Sequence, residues 1–158
     1  MRTTRLIAAA LFAGLLAVPA TALGAATPLA PDGTPDTAVL VRSPQQIDYT
    51  GDGSQYLAGR GASSRHPGSL QWTTWTTSEA QATGANWIDN CTPNCAAGKF
   101  HQYPATLRLY RPAVVGGHRV FTRMTVTFTG PRPPEFQHGS WTADVHYVAQ
   151  DHMYFWTT

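Results

Sequence analysis

The sequence predicts an antiparallel all-β domain, built as a β-sandwich or a small barrel, and three observations carry that expectation. Short runs of Thr, Val, Tyr, Trp and Phe recur from residue 47 onward, and these side chains suit a pleated, half-buried surface. Clusters of Gly, Pro, Asn and Asp separate the runs at turn spacing. No segment sustains a helical period, and Ser78 to Ala82 offers at most a single turn.

The chain opens on a different pattern. Residues 1–26 have the three parts of a secretory signal peptide. Arg2 and Arg5 make the positive start, "LIAAALFAGLLAV" (Leu6 to Val18) the apolar core, and Ala22 to Ala26 the small-residue cleavage region after Pro19. The core is 13 residues long, short of the roughly 20 that span a bilayer as a helix. The arginines are not adjacent, and no cysteine stands at the cleavage region, which argues against a twin-arginine route and a lipid anchor. The expected product is secreted, extracellular and free of the membrane.

Residues 27–46, "TPLAPDGTPDTAVLVRSPQQ", hold few large apolar side chains and read as a flexible leader. A single β domain is expected over 47–158. Its first hairpin is "QIDYTGDGSQYL" (Gln46 to Leu57), with Gly51, Asp52 and Gly53 at the tip. "SLQWTTWTT" (Ser69 to Thr77) and "ATGANWIDN" (Ala82 to Asn90) follow as candidate strands. In "VFTRMTVTFT" (Val120 to Thr129), Val120, Met124, Val126 and Phe128 fall on one face and Arg123, Thr125 and Thr127 on the other. Its partner is "YPATLRLY" (Tyr103 to Tyr110), reversed at Gly116-Gly117. "GPRPPE" (Gly130 to Glu135) stops the sheet, because proline removes ladder donors. The aromatic segments "WTADVHYV" and "HMYFWTT" then make a C-terminal hairpin over 141–158.

The one motif with a chemical flavour is "DNCTPNCAAGKFH", Asp89 to His101, which holds both cysteines and the single lysine, Lys99. Two nearby thiols in an oxidising compartment are expected to join, so Cys91 and Cys95 read as a structural disulfide. Pro93 and Asn94 suit a type I turn between them. A structural zinc site wants four ligands, and only His101 follows the pair at a plausible distance. A redox pair normally has two intervening residues and a helix N-terminus, neither of which is present. "NCT" (Asn90 to Thr92) also matches a glycosylation sequon, with a cystine awkwardly at its centre.

Taken together, "TGDGS", Trp72 and Trp75, Ala82 and Gly84, Cys91 to Gly98, Tyr103-Pro104 and Phe121-Thr122 resemble a group of small secreted actinobacterial proteins. That group has a Trp-x-x-Trp strand and a C-x-P-x-C-A-x-G loop. The resemblance covers about residues 47–130. It implies a secreted protein of a Gram-positive organism and no catalytic residue.

Composition narrows the function classes. The formal charge of +2 includes Arg2 and Arg5, so the chain from Thr27 onward is neutral, and only 13% of residues are charged. With no basic run, nucleic acid is not an expected partner. Five tryptophans could build a sugar-stacking platform, although core packing is the simpler use of each ring. Trp72 and Trp75 should point to opposite strand faces unless a bulge re-aims them. His146 and His152 flank a turn where they could meet, yet no acidic or cysteine pattern completes a metal site. "DYTGDG" (Asp48 to Gly53) lacks the alternating oxygen ligands of a calcium loop. Only Glu79 and Glu135 are glutamates, and no G-x-S-x-G or H-E-x-x-H occurs. Asp144 and His146 are the remaining pair to consider for hydrolysis. No catalytic residue, metal or cofactor is expected.

The leading expectation is a secreted non-enzymatic binding module for an envelope glycan or a protein. Its candidate surface is Trp72, Trp75, Lys99, His101 and Trp141. The alternatives are a structural or inhibitory protein using the Cys91–Cys95 loop, and a small hydrolase. Exposed aromatics on one face would favour glycan, a protruding cystine loop protein contact, and a deep polar cleft catalysis. In culture supernatant the protein is expected to begin near Thr27. N-terminal sequencing that finds residues 1–26 retained would overturn export.

Overall fold

The computed structural model describes residues 26–32 and 39–158. Apart from Ala26, the expected signal peptide lies outside the described residues. Ten strands follow one another: β1 (Ala30–Asp32), β2 (Val39–Val41), β3 (Ile47–Asp48), β4 (Gln55–Ala58), β5 (Gln71–Trp75), β6 (Ala80–Asp89), β7 (Phe100–Val115), β8 (His118–Phe128), β9 (Ser140–Val148) and β10 (Met153–Thr157). There is no helix among the described residues. Strands β3 to β10 form one antiparallel sheet in the order β10-β9-β8-β7-β6-β4-β3, with β5 also on β6. This sheet curls into a nearly closed barrel, the second of the two expected architectures.

Alternation explains why the long strands curl around one core. In β7 and β8 the pairs Leu107↔Val126 and Leu109↔Met124 are buried, while Arg108↔Thr125 and Thr106↔Thr127 face outward. Small inward residues, Ala80, Ala82, Ala105 and Ala143, leave room for the large rings of Trp141 and Trp156 in the same core. Phe121 departs from the alternation. It belongs by period with Arg123, yet it is fully buried against Trp75 at 5.5 Å between ring centroids. The change of face falls where Arg111, on the neighbouring strand, takes a left-handed φ of 54° and its carbonyl accepts the Thr122 hydroxyl at 2.7 Å.

Strands β4 and β5 lie along the same side of β6, one on each half, and the 59–70 segment separates them. Gly84 sits on β6 at the break, where a Cβ would run into the Ala58 carbonyl and the Leu70 side chain. The excursion folds back over the outside of the sheet and covers Tyr56, Ala58, Ala85 and Trp87, a second small core with Phe100 packed on it. Backbone carbonyls of the excursion satisfy the polar tips beneath it. Trp87 Nε1 donates to Gly59 (3.0 Å), Tyr56 Oη to Ser64 (3.1 Å) and Gln102 Nε2 to Gly61 (2.9 Å).

The 27–46 segment is a correction to the sequence reading. Over its described residues it is packed, with Pro28, Pro31 and Pro44 fully buried. Leu29 exchanges backbone hydrogen bonds with Arg119 (2.9 Å) and Phe121 (3.0 Å). Two proline carbonyls accept the indole N–H groups of the Trp-x-x-Trp strand: Trp72 Nε1 reaches Pro44 at 2.8 Å and Trp75 Nε1 reaches Pro28 at 2.9 Å. Proline rings supply apolar bulk that a count of large aliphatic residues overlooks, and their carbonyls remain free to accept. The tryptophans themselves share a side. A register shift between Trp72 and Thr74 turns both rings toward the core, edge to face at 4.6 Å.

The register of β8 has a direct test. Val126→Asp puts an unpaired charge on a face with no exposure and is expected to cost more than about 3 kcal/mol. Thr125→Asp, on the other face, gives up its 3.2 Å hydrogen bond with Tyr110 and should cost roughly 1 kcal/mol. Equal urea midpoints for the two variants would show this face assignment to be wrong.

Candidate functional site

The strongest collection of exposed, ordered polar groups lies at the end of the β6–β7 hairpin. Cys91 and Cys95 are joined by a disulfide. The Thr92–Pro93 bond is cis, and the backbone hydrogen bond in this loop runs from Ala97 N–H to the Asn94 carbonyl at 3.1 Å. Every residue from Thr92 to Ala97 is exposed. Such a loop would ordinarily be loose, and the residues at its base prevent that. Asn90 Oδ1 accepts from the backbone N–H of Thr92 (3.1 Å) and of Lys99 (3.0 Å), tying the two legs together. Asp89 Oδ1 accepts from Cys91 N–H at 2.9 Å, and Asn94 Oδ1 from Ala97 N–H at 3.0 Å. Asp89 is 8% exposed, and a Cβ on Gly98 would collide with its carboxylate. Asp89, Asn90, Asn94 and Gly98 are therefore what gives the loop one shape; the sequence reading names Asn94 for the turn and gives the other three no part in holding the loop.

Beside the loop base runs a groove of about 330 Å³ lined by Ile88, Asp89, Asn90, His101, Tyr103, Pro134 and Glu135. Register creates it: His101 pairs with Ile88 and Tyr103 with Asn86 across β6 and β7. The proline-rich 130–135 segment forms the opposite wall. Tyr103 is half-buried, with its ring edge-on to Phe128 at 6.3 Å, while His101 and Glu135 are exposed. The groove thus offers one ring face, an imidazole and two carboxylates.

The structure brings together only part of the surface expected from sequence. Lys99 and His101 are exposed on one leg of the cystine loop. Trp72 and Trp75 are half-buried against the core with their N–H groups engaged by the proline carbonyls. Trp141 is buried, its ring 4.5 Å from that of Tyr49 and 5.9 Å from that of Phe136.

Other candidates separate. His146 lies against Phe155 at 5.1 Å, whereas His152 Nδ1 is 3.2 Å from the Tyr147 hydroxyl, so the two histidines engage different partners. Asp144 lies 3.6 Å from Arg123 Nε. The Asp48–Gly53 segment is a hairpin tip with left-handed Gly51 and Gly53, and Asp52 Oδ1 accepts from Ser54 N–H at 2.9 Å. Hydrogen bonds from Ser54 hold the Asp52 carboxyl below the usual range. Among the described residues no group of three His, Cys, Asp or Glu side chains is placed to hold a metal ion.

The disulfide closes a short loop, so replacing both cysteines by serine is expected to cost at most about 2 kcal/mol in the loop-entropy account. Sheet circular dichroism should survive, because the core is remote from the bond in composition and contact. The isolated protein should carry no free thiol, and zinc or a chelator should leave its melting temperature unchanged. Titratable thiols, or zinc that chelation removes with loss of fold, would contradict the staple.

No protein-family model, curated protein or solved structure matches this chain.

Proposed function

We propose that this protein is a secreted, non-enzymatic β-barrel that binds a protein partner outside the cell through the cystine-loop end. One observation carries the reading: Thr92 to Ala97 are exposed, yet the loop is held by a disulfide and by side-chain caps at both legs. A surface fixed in advance loses little conformational freedom on association, which is how a short loop gains affinity. Lys99, His101 and the adjoining groove extend the contact area with both signs of charge.

Protein is favoured over glycan because a glycan platform needs exposed aromatic faces. Trp72, Trp75 and Trp141 are instead turned to the core, and among the described residues the large hydrophobic side chains that stand most exposed are Val39 and Val114. The groove's polar groups, without a nucleophile–base pair among them, suit recognition of a surface better than turnover of a substrate.

The test compares binding of the wild type and of the Cys91→Ser/Cys95→Ser variant to envelope fractions and secreted proteins of the producing organism. Binding should vanish after protease treatment of the target and weaken about tenfold, or roughly 1.4 kcal/mol, in the double variant. Undiminished binding to protein-free cell wall would point to glycan. Equal binding by the two forms would remove the loop from the contact.

A further inference from the structure

The inward face of β6 and β7 runs on past the core toward the cystine loop. Along β7 the residues of that face are Leu109, Leu107 and Ala105, all buried, then Tyr103, half-buried, and His101, exposed. On β6, Asn86 stands opposite Tyr103 and Ile88 opposite His101. The groove beside the loop base is therefore the mouth of the barrel, a place where barrels commonly take ligands. Its opposite wall is anchored as well. Pro133 is buried, the Phe136 ring stacks on Trp141 at 5.9 Å between centroids, and Phe136 N–H donates to the Pro133 carbonyl at 3.1 Å. Glu135 stands exposed on that turn.

We propose that this mouth receives an arginine side chain of the protein partner, an inference that rests on the reading of the cystine-loop end as a protein-binding surface. Two features of the lining select that guest. The first is charge. Both carboxylates of the groove, Asp89 and Glu135, lack an ion-pair partner among the described residues, whose ion pairs are Arg108–Glu79 and Arg123–Asp144. Lys99 and Arg132 are near in sequence, yet neither pairs with them, and Arg132 Nη1 lies against Gly139 instead. Asp89 Oδ1 accepts from Cys91 N–H at 2.9 Å and the residue is largely buried, so it adds negative field from the wall while Glu135 is open to direct contact. That field reaches inward: burial first, and then the charge of Glu135, push the Tyr49 phenol above its ordinary range. The second feature is shape. Tyr103 brings an aromatic ring to the same groove, held edge-on to Phe128 at 6.3 Å. A planar guanidinium stacks on a ring and offers paired N–H groups to a carboxylate, whereas an ammonium acts as a point charge. Ile88 and Pro134 supply apolar contact for the aliphatic stem. At about 330 Å³ the groove lies at the small end of the roughly 300–1,000 Å³ of ligand sites, a size for one side chain.

The experiment titrates the intact protein with the peptide acetyl-Gly-Arg-Gly-amide and reads amide chemical shifts by NMR. Two further peptides carry lysine or citrulline, the uncharged isostere of arginine. The arginine peptide should shift the signals of Asp89, Asn90, His101, Tyr103 and Glu135 saturably. The citrulline peptide should bind about tenfold more weakly, and the lysine peptide several-fold more weakly. Glu135→Gln, at an exposed position, should weaken the arginine peptide about tenfold. Tyr103→Leu removes the ring and should weaken it less, because the charge contact remains. Glu79→Gln, at the far end of β6 and already paired with Arg108, should leave the affinity unchanged. A silent arginine peptide, equal affinity for the citrulline or lysine peptide, or an unaffected Glu135→Gln variant would each overturn the proposal. The two readings of this end of the barrel fail separately. Target binding that weakens in the cystine double variant, beside a silent arginine peptide, would sink the mouth and keep the loop. A saturating arginine peptide, beside targets indifferent to the cystines, would keep the mouth and sink the loop.

Discussion

The barrel depends on Tyr49, which links the ends of a sheet that its own ladder does not join. Its ring lies 4.5 Å from Trp141 on β9, and its hydroxyl is 2.7 Å from Asn86 Oδ1 on β6 and 3.0 Å from Gln55 Oε1. Burial pushes the phenol above its ordinary range, which keeps it a hydrogen-bond donor at neutral pH. A closed barrel normally secures its last seam with a continuous row of backbone hydrogen bonds. Here side chains do this, and they leave polar atoms over. Asn86 Nδ2, Trp141 Nε1 and Trp156 Nε1 are buried without a partner. All three belong to residues that touch Tyr49 or line a cavity with it.

At the other side of the core both indole N–H groups are satisfied. Trp72 and Trp75 have partners for their N–H groups because Pro44 and Pro28 bring free carbonyls to the strand. Those prolines could not have joined the ladder as donors. The N-terminal segment therefore meets the sheet through what proline retains: ring surface and a strong acceptor. Leu29 adds two backbone hydrogen bonds that bind this segment to β8. The aromatic strand and the proline-rich segment each answer a need of the other, which composition alone hides because both look incomplete in isolation.

The sheet itself was legible in the sequence wherever alternation and turn chemistry agreed. Each of the hairpins expected at Gly51–Gly53, at Gly116-Gly117 and over 141–158 is present, and Val126 and Met124 face the core as their period requires. Three features were hidden, each for a physical reason. The excursion between β4 and β5 interrupts one strand position on β6, and no local pattern distinguishes such an interruption from an ordinary turn. The bulge at Trp72–Thr74 reverses the face of one tryptophan, which a strict period of two cannot anticipate. Phe121 faces inward next to the point where Arg111, on the neighbouring strand, takes a positive φ, a backbone state that the residue types do not announce. At the candidate site the cysteines drew attention, while Asp89, Asn90 and Gly98 shape the loop. An Asx residue next to a cystine turn and a glycine on the far leg were the signals available.

The cystine loop and the barrel obey different constraints, and that separation bears on function. In the barrel, each inward side chain is fitted to its neighbours, so a change at one position is felt across the core. The loop rests on a covalent bond and on hydrogen bonds between Asp89, Asn90 and the adjoining backbone, and the side chains from Thr92 to Ala97 touch solvent. Those exposed positions can change without disturbing the core, provided the base residues stay. A scaffold that fixes the shape of a loop while leaving its surface free to vary suits recognition, because contact chemistry can be altered at little cost to stability.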